Sequence, residues 1–408
     1  MRPPGSPRVP GPRGGPVSGP SFSGGGPLGD LLRDLARLLT AQGPVNWEVA
    51  RQLAVWTATG GESEANPEPL ARMKTEELLR VAEMYVAQGT GLPTSRRGWL
   101  GLRCVTRAEW AGAMLSLLHD PLAELATSVQ ATMGTGAPEE HPAVPGPMGD
   151  LLGNLPQVLG PLMLGVQAGT MVGNLASRAL GQYDVPLPGP PDDELLAVPG
   201  TVGSFAAEWD LPVDDVRMYV CLRDATYHTV LSRPHVSQLF RQHLRAYARA
   251  FDMDLGSLEG RLAAIDPMDP MAFQQSLGDP DALLGELRSD EQRRLMVPFR
   301  AFLAALVGYA DHMVDTVGRR LVGSYSLVSE AVRRRRLEDG PGQRALGKLL
   351  GVEVDQQVVD AGHGFVAGVL ERAGTEGLSR LWESEATLPT PAEVDAPGLW
   401  LARIDLPA

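Results

Sequence analysis

Cysteine is nearly absent from this 408-residue chain: only Cys104 and Cys221 are present. Two cysteines make neither a disulfide framework nor a Cys-x-x-Cys metal knuckle, a usage that suits a reducing compartment. No apolar segment of the kind that heads a secretion signal opens the sequence, and a cytoplasmic protein is expected. Basic charge is in deficit, with 36 Lys and Arg against 49 Asp and Glu and a net charge of −13. Residues 1–27 hold three Arg and no acid, so the remainder carries −16. Such a body repels a phosphate backbone, and nucleic acid is not an expected partner. No Walker A loop, Gly-x-Ser-x-Gly elbow or Gly-x-Gly-x-x-Gly turn after a strand occurs, so nucleotide-cradling and serine-hydrolase chemistries lack their usual residues.

Charge is missing altogether from Leu151 to Ser177, where Gly165, Gly169 and Gly173 recur every four residues. Pro156, Pro161, Asn154, Gln157, Gln167 and Asn174 interrupt the stretch, and its flanks lack basic or aromatic anchors. A buried, glycine-rich pair of helices is expected there, and no membrane span.

What is present is helical periodicity. Residues 1–27 contain eight Pro and eight Gly and read as a disordered tail. Leu31, Leu32, Leu35, Leu38 and Leu39 then fall at helical spacing, and helices are expected from Asn46, over Lys74–Ala87, and from the capping box Thr106-Arg-Ala-Glu109. Residues 134–148 are rich in breakers and read as an exposed loop, before helices resume from Met148 to Gly181. The proline-rich segment 184–191 is the natural boundary between a helical N-terminal domain, 28–190, and a second domain, 191–408. In the latter, Leu195–Val198 reads as a short strand and Pro212 precedes a helix. A long helix is expected after Pro298, a solvated helix end at Arg333–Arg336, a helix over Asp360–Ala373, and a nonhelical C-terminal stretch. The fold class is mainly α with few short strands.

Several phrases, taken in order, resemble those of a bacterial zincin-like metallopeptidase family. They are Gly43-Pro-Val-Asn-Trp47, Thr106-Arg-Ala-Glu-Trp110, Gly173-Asn-Leu-Ala176, Leu180-Gly-Gln-Tyr-Asp184, Trp382-Glu-Ser384 and Leu388-Pro-Thr-Pro-Ala-Glu393. Some members carry a hydrolase label or an association with coenzyme F420 biosynthesis. The resemblance covers about residues 28–408 and implies a zincin-like, helix-rich C-terminal domain.

It also implies where a zinc site would lie. Intact members carry His-Glu-x-x-His, whose two His share one helix face while the Glu polarises the metal-bound water. This chain has Arg223-Asp-Ala-Thr-Tyr227 there. The family's downstream phrase, Glu-Gly-His-Ala-Glu-His, corresponds to Val307-Gly-Tyr-Ala-Asp-His312, so the third ligand falls at Val307 or Tyr309. Gly308, Ala310 and His312 match, and Asp311 is a shortened Glu. Arginine has no lone pair to give and valine no donor atom. The resemblance therefore implies zinc in intact members and none here, with Arg223, Asp224, Tyr227, Val307, Tyr309, Asp311 and His312 as a degenerate site.

Three further readings of these residues stay open. Arg223 sits where a dication would, and a pair with Asp224 or Asp311 would take the metal's place between two helices. A rescue centre would use Asp224, His228 and His312, although their face is turned about 100° from the implied ligand face. A Cys221–His228 nucleophilic pair, seven residues apart, is the third; a buried, inert Cys221 is the plainer reading. Gly362-His-Gly364 reads as close helix packing, and His119, His141, His235, His243 and His363 have no partners at ligand spacing.

The expected function is a catalytically inactive homologue that keeps a cleft for an unidentified peptide or protein partner. The alternatives are an active hydrolase or metallopeptidase with a differently composed site, and a scaffold whose cleft is vestigial.

Overall fold

A computed structural model describes residues 43–134, 147–190, 192–251, 288–338 and 340–406, with side chains omitted at 132–134, 147–159 and 337. The expected tail at 1–27, the leucine-rich helix from Leu31 and most of the 134–148 loop lie outside the described residues. Fourteen α-helices and two four-residue strands make up the described elements, a mainly α fold.

Helix α1 (Trp47–Thr59) starts where the Asn46 side chain accepts the Val49 N–H at 3.1 Å and ends at Gly60. It lies along α5 (Pro147–Arg178), and the glycine spacing explains how closely. A β-carbon on Gly165, Gly169 or Gly173 would sit 2.5 Å from Asn46 O, Ala50 O or Thr57 Cβ respectively, inside contact distance. The glycines of the uncharged stretch thus form the face of α5 that packs on α1, and α5 is a single helix through Pro156 and Pro161. No helix among the described residues is long and apolar enough to cross a membrane.

Helix α2 (Pro69–Thr90) leads into strand β1 (Gly101–Cys104), and α3 (Arg107–Leu117) begins at the expected capping box of Thr106 and Glu109. Helix α4 (His119–Gly134) follows. After α5, a 3-10 turn (Gln182–Asp184) and strand β2 (Glu194–Ala197) precede α6 (Pro199–Glu208) and α7 (Val213–Leu231). The two strands pair in parallel with Gly101 opposite Glu194 and Cys104 opposite Ala197. This ladder brings residues on either side of the 184–191 segment together.

Helix α8 (Pro234–Arg249) is followed by α9 (Asp290–Leu321) and α10 (Tyr325–Leu337). Pro298 does not open α9, as expected, but lies inside it. The start is set by a capping box in which Ser289 accepts the Gln292 N–H at 3.1 Å. Helices α11 (Pro341–Leu350) and α12 (Gln356–Ser379) come next. The chain beyond them was expected to be nonhelical. Instead Pro391 and Pro397 occupy first turns of α13 (Pro391–Asp395) and α14 (Pro397–Ile404), positions where the missing N–H costs nothing.

The described residues all fall in one compact unit. Its largest fully buried side chains include Trp110, Trp382 and Trp400. Trp110 Nε1 donates to Gly181 O at 2.9 Å, which ties α3 to the turn that supports the site.

Candidate functional site

Helix α7 carries the altered motif through the centre of the molecule. From Met218 to Leu231 every residue is buried, although Arg223, Asp224, Thr226, His228 and Thr229 fall among them. A helix buried all round is normally apolar, so each polar group on this one needs an internal partner. Thr226 and Thr229 meet the need locally, their hydroxyls donating at 2.7 Å to the carbonyls of Leu222 and Ala225.

Arg223 finds two carboxylates. Its Nε donates to Asp224 Oδ1 and its Nη1 to Asp184 Oδ1, both at 2.8 Å. Asp224 is the neighbour on the same helix, whereas Asp184 comes from the 3-10 turn after α5. The pairing therefore clamps α7 to that turn, and Asp311 takes no part in it. Asp184 is itself fixed, its Oδ2 accepting the backbone N–H groups of Leu180 and Gly181. Gly181 is required there: a β-carbon would lie 2.2 Å from Asp224 Oδ2.

The electrostatics follow from this packing. Burial opposes ionisation of Asp184, but Arg223, with Arg335 and the Gly181 N–H, outweighs it and holds the carboxyl below the usual range. Asp224 goes the other way. Burial, with Asp184 adding to it, lifts its pKa to about 6 against the pull of Arg223. Burial disfavours charge on Arg223 as well, yet Asp184 and Asp224 keep it protonated at every accessible pH.

A second polar chain runs one turn further along α7. Tyr183 Oη and His228 Nδ1 are 3.0 Å apart, and His228 Nε2 lies 3.2 Å from Asp193 Oδ1. Asp193 Oδ2 accepts the N–H groups of Arg96 at 2.8 Å and Arg97 at 3.2 Å, and its own φ is +55°. Asp is among the few residues that tolerate that conformation. In this buried chain Asp193 fastens the segment before β1 to the start of β2, and His228 ties α7 to it. It takes His228 away from the rescue centre and from Cys221. Cys221 instead has its Sγ 3.8 Å from Thr75 O, with burial pushing its thiol pKa up.

On α9, Val307 and Asp311 are one turn apart and share a face, while Tyr309 is turned to the opposite side. Tyr309 packs edge-on against Trp382 at 5.6 Å between centroids. Asp311 faces α7: burial, and then Asp311 itself, push up the phenols of Tyr219, to about 12, and of Tyr227. Arg336 holds Asp311 in a bidentate pair at 2.8 and 2.9 Å, and His363 Nε2 adds a contact at 3.0 Å. Burial opposes the Asp311 charge, but Arg336 and His363 keep the carboxyl well below its ordinary range.

Arg336 corrects the reading of its cluster as a solvated helix end. Arg333 and Arg334 are exposed, but Arg335 and Arg336 turn inward over one face of α10, Arg335 lying 4.9 Å from the centroid of the Phe205 ring. Neither Asp184 nor Arg336 was read from sequence as part of the site, and nothing in their local spacing marks them. The Asp184 signal was present only as the last residue of a family-like phrase.

These groups border a cleft of about 530 Å³. Arg223 and Tyr227 of α7 lie in its wall with Tyr183 and Asp184, and α10 and α11 close the other side. Of the other predicted site positions, Asp224, Val307, Tyr309, Asp311 and His312 do not line it. Asp224, His228 and His312 are not brought together, and no group of three metal-binding side chains occurs among the described residues.

A profile of the zincin-like metallopeptidase family matches residues 45–401, and the chain belongs to that family. A solved structure from Chloroflexus aurantiacus, reported as a "putative hydrolase with a novel fold", shares the fold with a TM-score of 0.58. It is 21% identical, and the alignment covers 89% of this chain and all of that one. No curated protein matches the sequence.

Zinc, the metal implied by the family, can be tested against the residues at the implied ligand positions. Arg223 offers only donors, and Val307 has no heteroatom. Tyr227 and Tyr309 could coordinate only as phenolates, but burial raises the pKa of both. That donor set does not fit a tetrahedral zinc centre.

Proposed function

We propose that this chain is a metal-independent member of its family, in which the cleft beside α7 binds a ligand and no peptide hydrolysis takes place. The observation that carries the reading is Arg223. A permanent cation stands at an implied ligand position, and it is embedded by two 2.8 Å carboxylate contacts in the fully buried part of the helix, from Met218 to Leu231. Removing it to admit a metal would strand Asp184 and Asp224, so the arginine is part of the packing rather than an incidental surface replacement. Peptide hydrolysis by a zincin needs a metal-activated water and a carboxylate to take its proton. The first of these has no ligands at the implied positions, and Asp224, at the position of the general base, is occupied by Arg223 and the Tyr183 N–H. The cleft persists without them, which supports binding as the retained role.

The test is metal content. Protein purified without chelators or a His-tag, loaded with excess Zn²⁺ and desalted, is expected to hold close to zero zinc per chain by mass spectrometry. One zinc per chain, lost in Asp224→Ala or His228→Ala, would replace this reading with that of a rearranged metal centre.

A further inference from the structure

The charge of the cleft is opposite to that of the chain. Six cations line it, Arg178, Arg223, Arg335, Arg336, Arg344 and Lys348, against three acids, Asp184, Glu353 and Asp355. The acids are already engaged. Asp184 is held by Arg223, Glu353 by Arg288, and Asp355 by Arg300 at 2.8 Å, and the last two arginines do not line the cleft. Among the cations, Arg178 has Glu338 and Arg336 has Asp311.

Two guanidinium groups are left short of partners. Arg223 Nη2 is buried and makes no hydrogen bond, in a side chain only 8% exposed. Arg335 has neither a carboxylate nor a hydrogen-bond acceptor for its guanidinium among the described residues; it rests on the face of Phe205. Arg178 donates to the Arg335 carbonyl at 3.4 Å, which places a third cation beside them. Burial presses on the Arg335 charge; Asp184 offsets part of this, the neighbouring Arg178 and Arg223 add to it, and Glu208 opposes them. A half-buried guanidinium with no ion-pair partner of its own is costly unless an anion completes it.

We infer that the cleft binds an oxyanion, a carboxylate or phosphate, between Arg335 and the free Nη2 of Arg223. The planar guanidinium presents paired N–H donors that match two oxygens of either group, and a partly desolvated site strengthens the contact. Leu175, Val332, Leu346 and Val352 form an apolar wall of the same cleft, suited to the body of a small organic anion. The inference rests on the reading of the cleft as a metal-independent binding site.

Titration calorimetry of the full chain in low-salt buffer tests it, with inorganic phosphate, phenyl phosphate and phenylacetate as probes. At least one is expected to bind, and Arg335→Gln should weaken that probe about ten- to a hundredfold, the effect of losing one charge-assisted hydrogen bond. Arg335→Lys should recover part of the loss, and a thermal melt establishes that each variant is folded. Tighter binding of phenyl phosphate or phenylacetate than of phosphate identifies an organic ligand; equal binding identifies the free anion and removes the role given to the apolar wall. No binding of any probe, or binding unchanged in Arg335→Gln, overturns the inference. Zinc is measured on the same samples. One zinc per chain would defeat the metal-independent reading, while anion binding that survives chelation would leave the oxyanion site standing. Binding lost on chelation would defeat both.

Discussion

Arg223, Asp184 and Asp224 show how a charge is kept inside a protein core. Each carboxylate makes one 2.8 Å contact to the guanidinium, and backbone N–H groups occupy the outer oxygens. Breaking a buried pair leaves an uncompensated charge and costs about 3–5 kcal/mol. Asp184 is about one-fifth exposed, so Asp184→Asn is expected to lower the unfolding free energy in urea by about 3 kcal/mol, near the bottom of that range. Glu338→Gln, which breaks the pair of Arg178 with a mostly exposed acid, should cost under about 1 kcal/mol. Asp224 predicts a pH effect of unusual sign. Its carboxyl titrates at about 6 in the fold against 3.8 for the free group, so the folded chain holds the proton more tightly. The stability this group contributes is complete below pH about 4 and is lost as pH rises through about 6. Measured by urea midpoints across that window, Asp224→Asn should remove the corresponding downward slope.

Helix α7 departs from the amphipathic pattern by which helices are read. Buried on every side from Met218 to Leu231, it has no solvent face there for periodicity to reveal, and its polar residues read as a lost metal site. Helices α9 and α12 cross where Gly308 meets Gly362. A β-carbon on Gly308 would lie 2.3 Å from Gly362 C, and one on Gly362 would lie 2.1 Å from Ala304 O. These contacts are to backbone, which cannot move aside as a side chain would. Either Gly308→Ala or Gly362→Ala is expected to lower stability by about 1–3 kcal/mol or more, the cost of overpacking. Gly364, two residues along α12, has nothing within 4 Å of the same position. Gly364→Ala should raise stability by roughly 0.5–1 kcal/mol through helix propensity, and thermal melts of the set would separate the two effects. The Gly-His-Gly motif thus contains one glycine set by packing and one that is not. Sequence spacing suggested close packing and could not say which glycine made it.

At the scale of the molecule, the face of α9 that meets α7 carries Val307 and Asp311, whereas Tyr309 belongs to the core around Trp382. A zinc site rebuilt on this framework therefore needs Val307 and not Tyr309. The combination Arg223→His, Asp224→Glu, Tyr227→His and Val307→Glu is expected to bind one Zn²⁺ per chain. Adding Tyr309→His should bring no further zinc and should lower the melting temperature by removing a buried aromatic contact. If the fourfold variant binds none by mass spectrometry, the alignment of the altered motif to the family's ligands is wrong. Helix starts such as Thr106–Glu109, the short strand near Leu195 and the glycine stripe of α5 were legible in the chain because each depends on a few neighbouring residues. The same locality made the family resemblance and the absence of donor atoms at positions 223 and 307 readable. The two short C-terminal helices were missed because proline there starts helices instead of ending them. The partners of Arg223, the inward turn of Arg335 and Arg336, and the chain from Tyr183 through His228 to Asp193 were decided only in three dimensions. They join residues far apart in the chain, such as Tyr183 with His228 and Arg335 with Phe205, and long-range pairing leaves no periodic trace along a sequence.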